Sequence, residues 1–260
     1  MKLATFQAPG REEPLAGQVV GDRVEGFAEG LSVLDVLAGL PARPLGDGWP
    51  LSQVTLLAPI PHPSTIYAIG LNYAAHVAET GAEPPEAPIV FVKVAASVAP
   101  PGGPVRCPAV VKRLDYEGEL VAVIGAEGKI AGYCVADDVT ARDLQGREPQ
   151  WTRAKGADTF CPFGPWITTS DEVPDPGDLR LRTWVNGDLR QDSRTSDLIF
   201  GCERLVDFIA QTCTLVPGDL ILTGTPSGVG MGLDPPQFLQ SGDTVRIEIE
   251  QLGVIEHSVG

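Results

Sequence analysis

The chain reads as an α+β, strand-rich protein, and three features of its 260 residues point that way. Thirty glycines and twenty-four prolines cut it into short segments bounded by turns. Those segments mostly alternate, or run apolar, over about four to eight residues, as strands do, while stretches at helical spacing are few and short. No strict strand–helix–strand alternation is visible, so a doubly wound parallel sheet is disfavoured.

In chain order, residues 1 to about 55 give two or three short strands around Gly21-Asp22. Leu31, Val33, Leu34, Val36 and Leu37 then follow at a spacing that fits a short helix. The Pro-rich passage Pro41 to Pro50 reads as a linker, so a small N-terminal domain over 1–55 precedes a main domain over 56–260. Strands are expected at Ile66 to Ile69, Ile89 to Val94, Glu119 to Ile124, Ile130 to Val135, Leu179 to Val185, Leu220 to Leu222 and Thr244 to Glu250. One helix is expected over Ala74 to Glu79, with Gly81 placed to end it, and another over Glu203 to Cys213, stopped by Pro217-Gly218. Asn186-Gly187 is a hairpin turn pair, because both positions tolerate positive φ.

A formal net charge of −15 argues against nucleic acid or an anionic membrane as partner. Met1 to Phe6 run straight into turn-forming residues from Pro9 to Pro14, with neither the apolar core of a signal peptide nor a spanning segment, which points to a cytoplasmic protein. Cys107, Cys134, Cys161, Cys202 and Cys213 are scattered without CxxC pairing and suit reduced core thiols. His62, His76 and His257 are too few for a His-rich metal centre.

Asp115-Tyr116-Glu117-Gly118-Glu119-Leu120 carries the strongest chemical signal. Side chains alternate along an extended strand, so Glu117 and Glu119 face one side while Leu120 and Ala122 face the other. Two carboxylates held together repel unless a cation lies between them or each faces water. Asp137-Asp138 closes the next apolar stretch, and if the two segments are adjacent strands a third carboxylate reaches the same point. Oxygen donors without a cluster of His or Cys suit Mg²⁺, Mn²⁺ or Ca²⁺, whereas the plainer reading of the same residues is a solvated acidic face. His76 and Glu79 lie three residues apart on one helical face, the relation in which a carboxylate orients an imidazole as a general base. A surface ion pair is the alternative there. Gly224, Gly228 and Gly230 lack the Gly-Lys-Ser/Thr of a phosphate loop and suit either backbone amides approaching a substrate carboxylate or, for any one of them, a tight structural turn.

Gly70-Leu71-Asn72-Tyr73 with His76 and Glu79, the Asp115 to Leu120 segment, Asp138-Val139-Thr140-Ala141-Arg142-Asp143-Leu144-Gln145, Lys155-Gly156-Ala157-Asp158-Thr159-Phe160, Pro162-Phe163-Gly164-Pro165-Trp166 and Leu222 to Gly230 together resemble the fumarylacetoacetate hydrolase family. The match runs in order from about Leu56 onward. It implies a mixed β-sandwich roll, a homodimer, and a first segment like the small N-terminal domain of the family's shorter bacterial members. It also implies that Glu117, Glu119 and Asp138 hold Mg²⁺ or Mn²⁺, with Ca²⁺ also accepted, and that Lys155 lies beside the ion while Asp137 points away. His76 and Glu79 match a dyad that activates water, and Arg142, Gln145 and Thr225 match positions that grip the substrate. Leu71 stands where several relatives carry Arg.

The implied chemistry is that of a small α-keto acid which chelates the ion and reacts through an enolate held by the ion and Lys155. C–C bond hydrolysis, isomerisation and decarboxylation all share that step. Two other readings stand beside it: a 2-hydroxyhepta-2,4-diene-1,7-dioate isomerase of aromatic catabolism, and a non-catalytic binding protein stabilised by a structural ion. His76, Glu79 and Lys155 speak against the last, because a structural ion needs neither a base nor a lysine.

Overall fold

Two apolar runs that are buried on both faces set the centre of the molecule. In the computed structural model, which describes residues 1–28 and 30–260, Gly118–Ile124 is buried at every position. It pairs antiparallel with Ile130–Asp137, Gly118 opposite Asp137. Period two then sorts the side chains. Leu120, Ala122 and Ile124 enter one apolar cluster, and Val121 and Val123 enter another on the opposite face.

Around this pair grows a twelve-stranded mixed sheet. On one side Gly118–Ile124 pairs with Leu220–Leu222, which lies parallel to Ile66–Gly70, and Ile89–Lys93 forms the edge. On the other side Ile130–Asp137 pairs with Cys161–Thr169, and then come Lys2–Gln7, Leu15–Val20, Arg23–Phe27 and Pro44–Pro50. A four-stranded antiparallel sheet, ordered Asp188–Arg194, Arg180–Val185, Thr244–Ile249 and Gly253–Ser258, covers the Leu120 face. Leu181, Val245, Ile247 and Ile255 of that sheet share the Leu120 cluster, and the helix Cys202–Ala210 adds Leu205, Val206 and Ile209. The strand-rich α+β sandwich expected from the sequence is the observed architecture.

The N-terminal strands carry a small cluster of their own around Phe6, Val19 and Val24, and join the large sheet through Leu3 opposite Ile167. Pro41 to Pro50 is not simply a linker. Pro44–Pro50 is an edge strand with Trp49 opposite Val24, and the Trp49 ring lies 5.7 Å from that of Phe6. An edge strand accommodates proline because it needs only one hydrogen-bonded ladder. Cys161–Thr169, central to the sheet, is disguised in the sequence for a related reason: Pro162, Gly164 and Pro165 look like turn residues. Elsewhere the local signals hold. The helix Ala74–Thr80 ends at Gly81 with φ 68°, and Asn186 and Gly187 take φ 53° and 86° between paired strands. Among the described residues no helix is long and apolar enough to cross a membrane.

Gly118 sits where the two sheets meet. A Cβ there would lie 2.4 Å from Thr183 Oγ1 and 3.1 Å from Ile247 Cγ2, so space alone demands glycine. Gly118→Ala should therefore cost about 1–3 kcal/mol of stability, the usual penalty of an overpacked core. Urea unfolding tests this, and a midpoint equal to the parent's would show that the sheets separate freely at that point.

Candidate active site

Strand pairing brings the acidic residues together. Glu117 and Glu119 share a face, and Asp138 follows Asp137 around the end of the adjacent strand. One carboxylate oxygen from each of Glu117, Glu119 and Asp138 lies within 4.8 Å of the others, and all three residues are buried. Asp137 turns to the opposite face, where it accepts the Glu117 N–H at 2.8 Å and meets His257 Nε2 at 2.8 Å.

Three cations surround this cluster. Lys155, in the short helix Thr152–Lys155, donates from Nζ to Glu117 Oε2 at 2.6 Å and to Asp138 Oδ2 at 2.8 Å. Lys93 closes the edge strand and donates to Asp138 Oδ1 at 2.5 Å and to the Lys155 carbonyl. Arg142 Nη2 lies 2.6 Å from Glu117 Oε1, and its Nε donates to Asp115 Oδ2 at 2.8 Å. Burial pushes the Glu117 carboxyl up, but Lys155 and Arg142 outweigh it and bring the group down to about 2. Glu119 goes the other way. Burial, then Asp138 and Glu117, hold it well above its ordinary value, and neither Lys155 nor the Gly224 N–H at 2.7 Å cancels the rise.

Asp115, Glu117, Glu119 and Asp138 are four buried carboxylates set against the three cations Lys93, Lys155 and Arg142. The excess negative charge falls on Glu119, the one member of the triad with no ion pair to a cation among the described residues. An all-oxygen donor set short of one positive partner fits a hard divalent ion, which Glu117, Glu119 and Asp138 would hold.

Across the cavity, His76 and Glu79 share one face of the helix Ala74–Thr80. His76 Nδ1 lies 2.9 Å from Glu79 Oε2, and Glu79 Oε1 accepts the Gly228 N–H at 2.8 Å. An ionised carboxylate only accepts, so Nδ1 carries the hydrogen and the neutral ring keeps its lone pair on Nε2. His76, Glu117, Arg142, Gln145, Lys155 and Thr225 line one cavity of about 200 Å³, with Leu71, Phe91, Trp151 and Met231 supplying apolar wall. Glu79, Glu119 and Asp138 reach it through the neighbours they contact. Gln145 Oε1 accepts from Arg142 Nη1 at 3.0 Å, and the Thr225 hydroxyl bridges Gly118 O and Gln191 Nε2 at 3.0 and 2.8 Å. A larger cavity of about 390 Å³ between the N-terminal strands and Pro59 to His62 has His62 as the sole titratable side chain among its described lining residues, and offers no comparable chemistry.

Three features escape the sequence. Lys93 reads as the polar end of an apolar strand, although a lysine in such company signals a buried partner. His257 has no local signal at all. The glycine-rich loop, expected to offer amides to a substrate carboxylate, turns several of them to the protein's own: Gly224 N–H to Glu119, Gly228 N–H to Glu79, and Gly230 N–H to Asp115 at 2.8 Å. The reason is charge, since carboxylates drawn out of water need N–H donors for the oxygens that their charged partners leave open.

A two-sheet α+β fold with an oxygen-only carboxylate cluster at one strand end and a carboxylate-held imidazole across a small cavity defines the class of protein. Within that class, the chain belongs to the fumarylacetoacetate hydrolase family, its residues 65–260 matching the family described as fumarylacetoacetate (FAA) hydrolase C-terminal. A Rattus norvegicus protein named oxaloacetate tautomerase Fahd2a, mitochondrial, is 40% identical over 288 aligned positions, covering 100% of this chain and 91% of its own. The solved structure of a 5-carboxymethyl-2-hydroxymuconate delta-isomerase from Mycobacterium smegmatis is similar with a TM-score of 0.84 and 40% identity, covering 100% of this chain and 99% of that one. That of a 2-hydroxyhepta-2,4-diene-1,7-dioate isomerase from Mycobacterium marinum has a TM-score of 0.84 and 37% identity, covering 100% and 98%.

The electrostatics give a stability test. Glu117, depressed to about 2, stabilises the fold above its ordinary value of 4.5, a contribution lost as pH falls towards 2. Glu119 is raised, so its contribution is present below 4.5 and lost as pH rises through its higher folded value, unless a cation takes up the charge. The difference in thermal midpoint between protein in Mg²⁺ and protein in EDTA should therefore widen with rising pH, as scanning calorimetry would record. A difference that is flat across the weakly acid to neutral range would contradict this account of Glu119.

Proposed function

We propose that the protein is a divalent-metal-dependent enzyme that moves a proton on small α-keto acids, interconverting keto and enol forms or double-bond isomers, with oxaloacetate as the first substrate to test. One observation carries the proposal. The only uncompensated carboxylate of a buried oxygen triad lies beside the cavity into which His76 is set as a base. The relatives support the reaction type, because a tautomerase and two isomerases share one step, removal of a proton beside a carbonyl and its return elsewhere.

Mg²⁺ or Mn²⁺ on Glu117, Glu119 and Asp138 would polarise the substrate's keto oxygen and so acidify the neighbouring carbon. His76 Nε2 takes the proton from that carbon, and Glu79 holds the ring in the needed tautomer and stabilises the imidazolium that forms. Lys155, in the cavity wall, places an ammonium where negative charge grows on the oxygen. Protonated His76 then returns the proton to oxygen or to a more distant carbon. Arg142 and Gln145 face the same cavity and bind the acid. Its volume of about 200 Å³ falls below the ~300–1,000 Å³ of sites for drug-sized ligands, which favours a short acid.

The dyad also suits deprotonation of water, so C–C bond hydrolysis of acylpyruvates is the second reading. Absorbance assays with oxaloacetate, acylpyruvates and hydroxy-dienoic diacids, each with Mg²⁺ and with EDTA, separate the two. Turnover of none of them, or turnover unaffected by EDTA, would refute the proposal. His76→Ala should lower kcat by ~10²–10⁴-fold, as expected on losing a positioned base, with Mg²⁺ affinity nearly intact. If kcat survives, the base lies elsewhere.

We also propose a homodimer. Ile89, Val90 and Val92 are 37%, 37% and 41% exposed on the edge strand Ile89–Lys93, an apolar edge of the kind that a second copy covers. Light scattering at micromolar concentration should give twice the chain mass, and a monomer would count against the assignment.

A further inference from the structure

Glu117 hangs at a point that the sheet ladder does not secure alone. The strand Gly118–Ile124 starts one residue later. The Glu117 carbonyl accepts the Asp138 N–H at 2.9 Å, but the Glu117 N–H finds its partner in a side chain, Asp137 Oδ1 at 2.8 Å. Asp137 Oδ2 in turn meets His257 Nε2 at 2.8 Å, with both side chains fully buried. Because the carboxylate only accepts, Nε2 carries the hydrogen. His257 Nδ1 is buried with no hydrogen-bond partner, which costs least as the bare lone pair of a neutral ring.

His257 belongs to the strand Gly253–Ser258, opposite Val245 in the smaller sheet. The pair thus crosses the space between the two sheets and ends on the backbone of a residue in the acidic triad, on the face away from the cavity. An apolar pair of similar volume would fill the same space, often with equal stability. It would not accept the Glu117 N–H.

We propose that Asp137 and His257 are positioning residues: His257 orients the Asp137 carboxylate, and Asp137 fixes the backbone of Glu117 so that its side chain meets the divalent ion in the right geometry. The proposal rests on the reading of Glu117, Glu119 and Asp138 as ligands. Partners of this kind behind a metal site typically contribute 10–100-fold in metal affinity, about the effect sought here.

Mn²⁺ titration calorimetry on the full chain tests the pair, with thermal midpoints in EDTA recording stability separately. His257→Gln puts an amide nitrogen close to the place of Nε2, whereas His257→Asn falls short of it. The expected result is Mn²⁺ affinity near the parent's for His257→Gln and a loss of about 10–100-fold for His257→Asn. Parent-like affinity in His257→Asn, or equal losses in both, would overturn the proposal. Asp137→Asn keeps an acceptor for the Glu117 N–H and should bind as the parent does, while Asp137→Ala should lose about 10–100-fold. This second pair decides the matter if His257→Asn fails to fold, and equal affinities in its two members would likewise overturn the assignment. Glu119→Gln, measured alongside, separates the two levels of inference: if it binds Mn²⁺ as the parent does, the ligand reading itself falls.

Discussion

Asp115, Glu117, Glu119 and Asp138 are buried in one neighbourhood with one cation too few, and the surrounding structure is arranged around that imbalance. Lys155 bridges Glu117 and Asp138, Lys93 holds both Asp138 and the backbone of Lys155, and Arg142 links Glu117 to Asp115. Breaking one such buried pair typically costs about 3–5 kcal/mol, because the abandoned charge stays buried. The groups therefore hold one another in place. An arrangement already fixed before substrate arrives needs no reorganisation when charge develops on that substrate, and this is the usual source of electrostatic catalysis.

Period two divides the labour across the large sheet. Glu117 and Glu119 face the cavity side, while Gly118 faces the smaller sheet. Asp137 and Asp138 repeat the division on the adjacent strand. Chemistry is on one face and its support on the other, separated by a single residue of register. The glycine-rich loop joins the halves of the site: its amides reach Glu119 of the triad, Glu79 of the dyad and Asp115 behind Arg142.

Much of this is legible in the sequence wherever the cause is local. The alternation at Glu117 and Glu119, the i, i+3 relation of His76 and Glu79, the glycine that ends their helix, and the Asn186-Gly187 turn each depend on a few neighbouring residues, and each appears in the structure. The resemblance to a family brought Lys155, Arg142, Gln145 and Thr225 into the picture, and all four line the cavity. What stays hidden depends on distance along the chain. Nothing around His257 announces Asp137, and nothing around Lys93 announces Asp138. Proline had the same effect at two places: it disguised a central strand at Pro162 and Pro165, and it made an edge strand at Pro44 and Pro50 look like a linker. Local propensity says where turns are favoured, and only the tertiary partners say where strands form regardless.

The separation of 120 residues between Asp137 and His257 also sets an order of events. The acidic hairpin is a local structure, free to pair as soon as both of its strands have left the ribosome. At ~5–20 residues per second, the strand that closes its back emerges about 6–24 s later. During that interval Asp137 has no His257 to meet, and the smaller sheet that covers the hairpin lacks its last strand. The last support of the site to leave the ribosome thus comes from a strand with no residue in the described cavity lining.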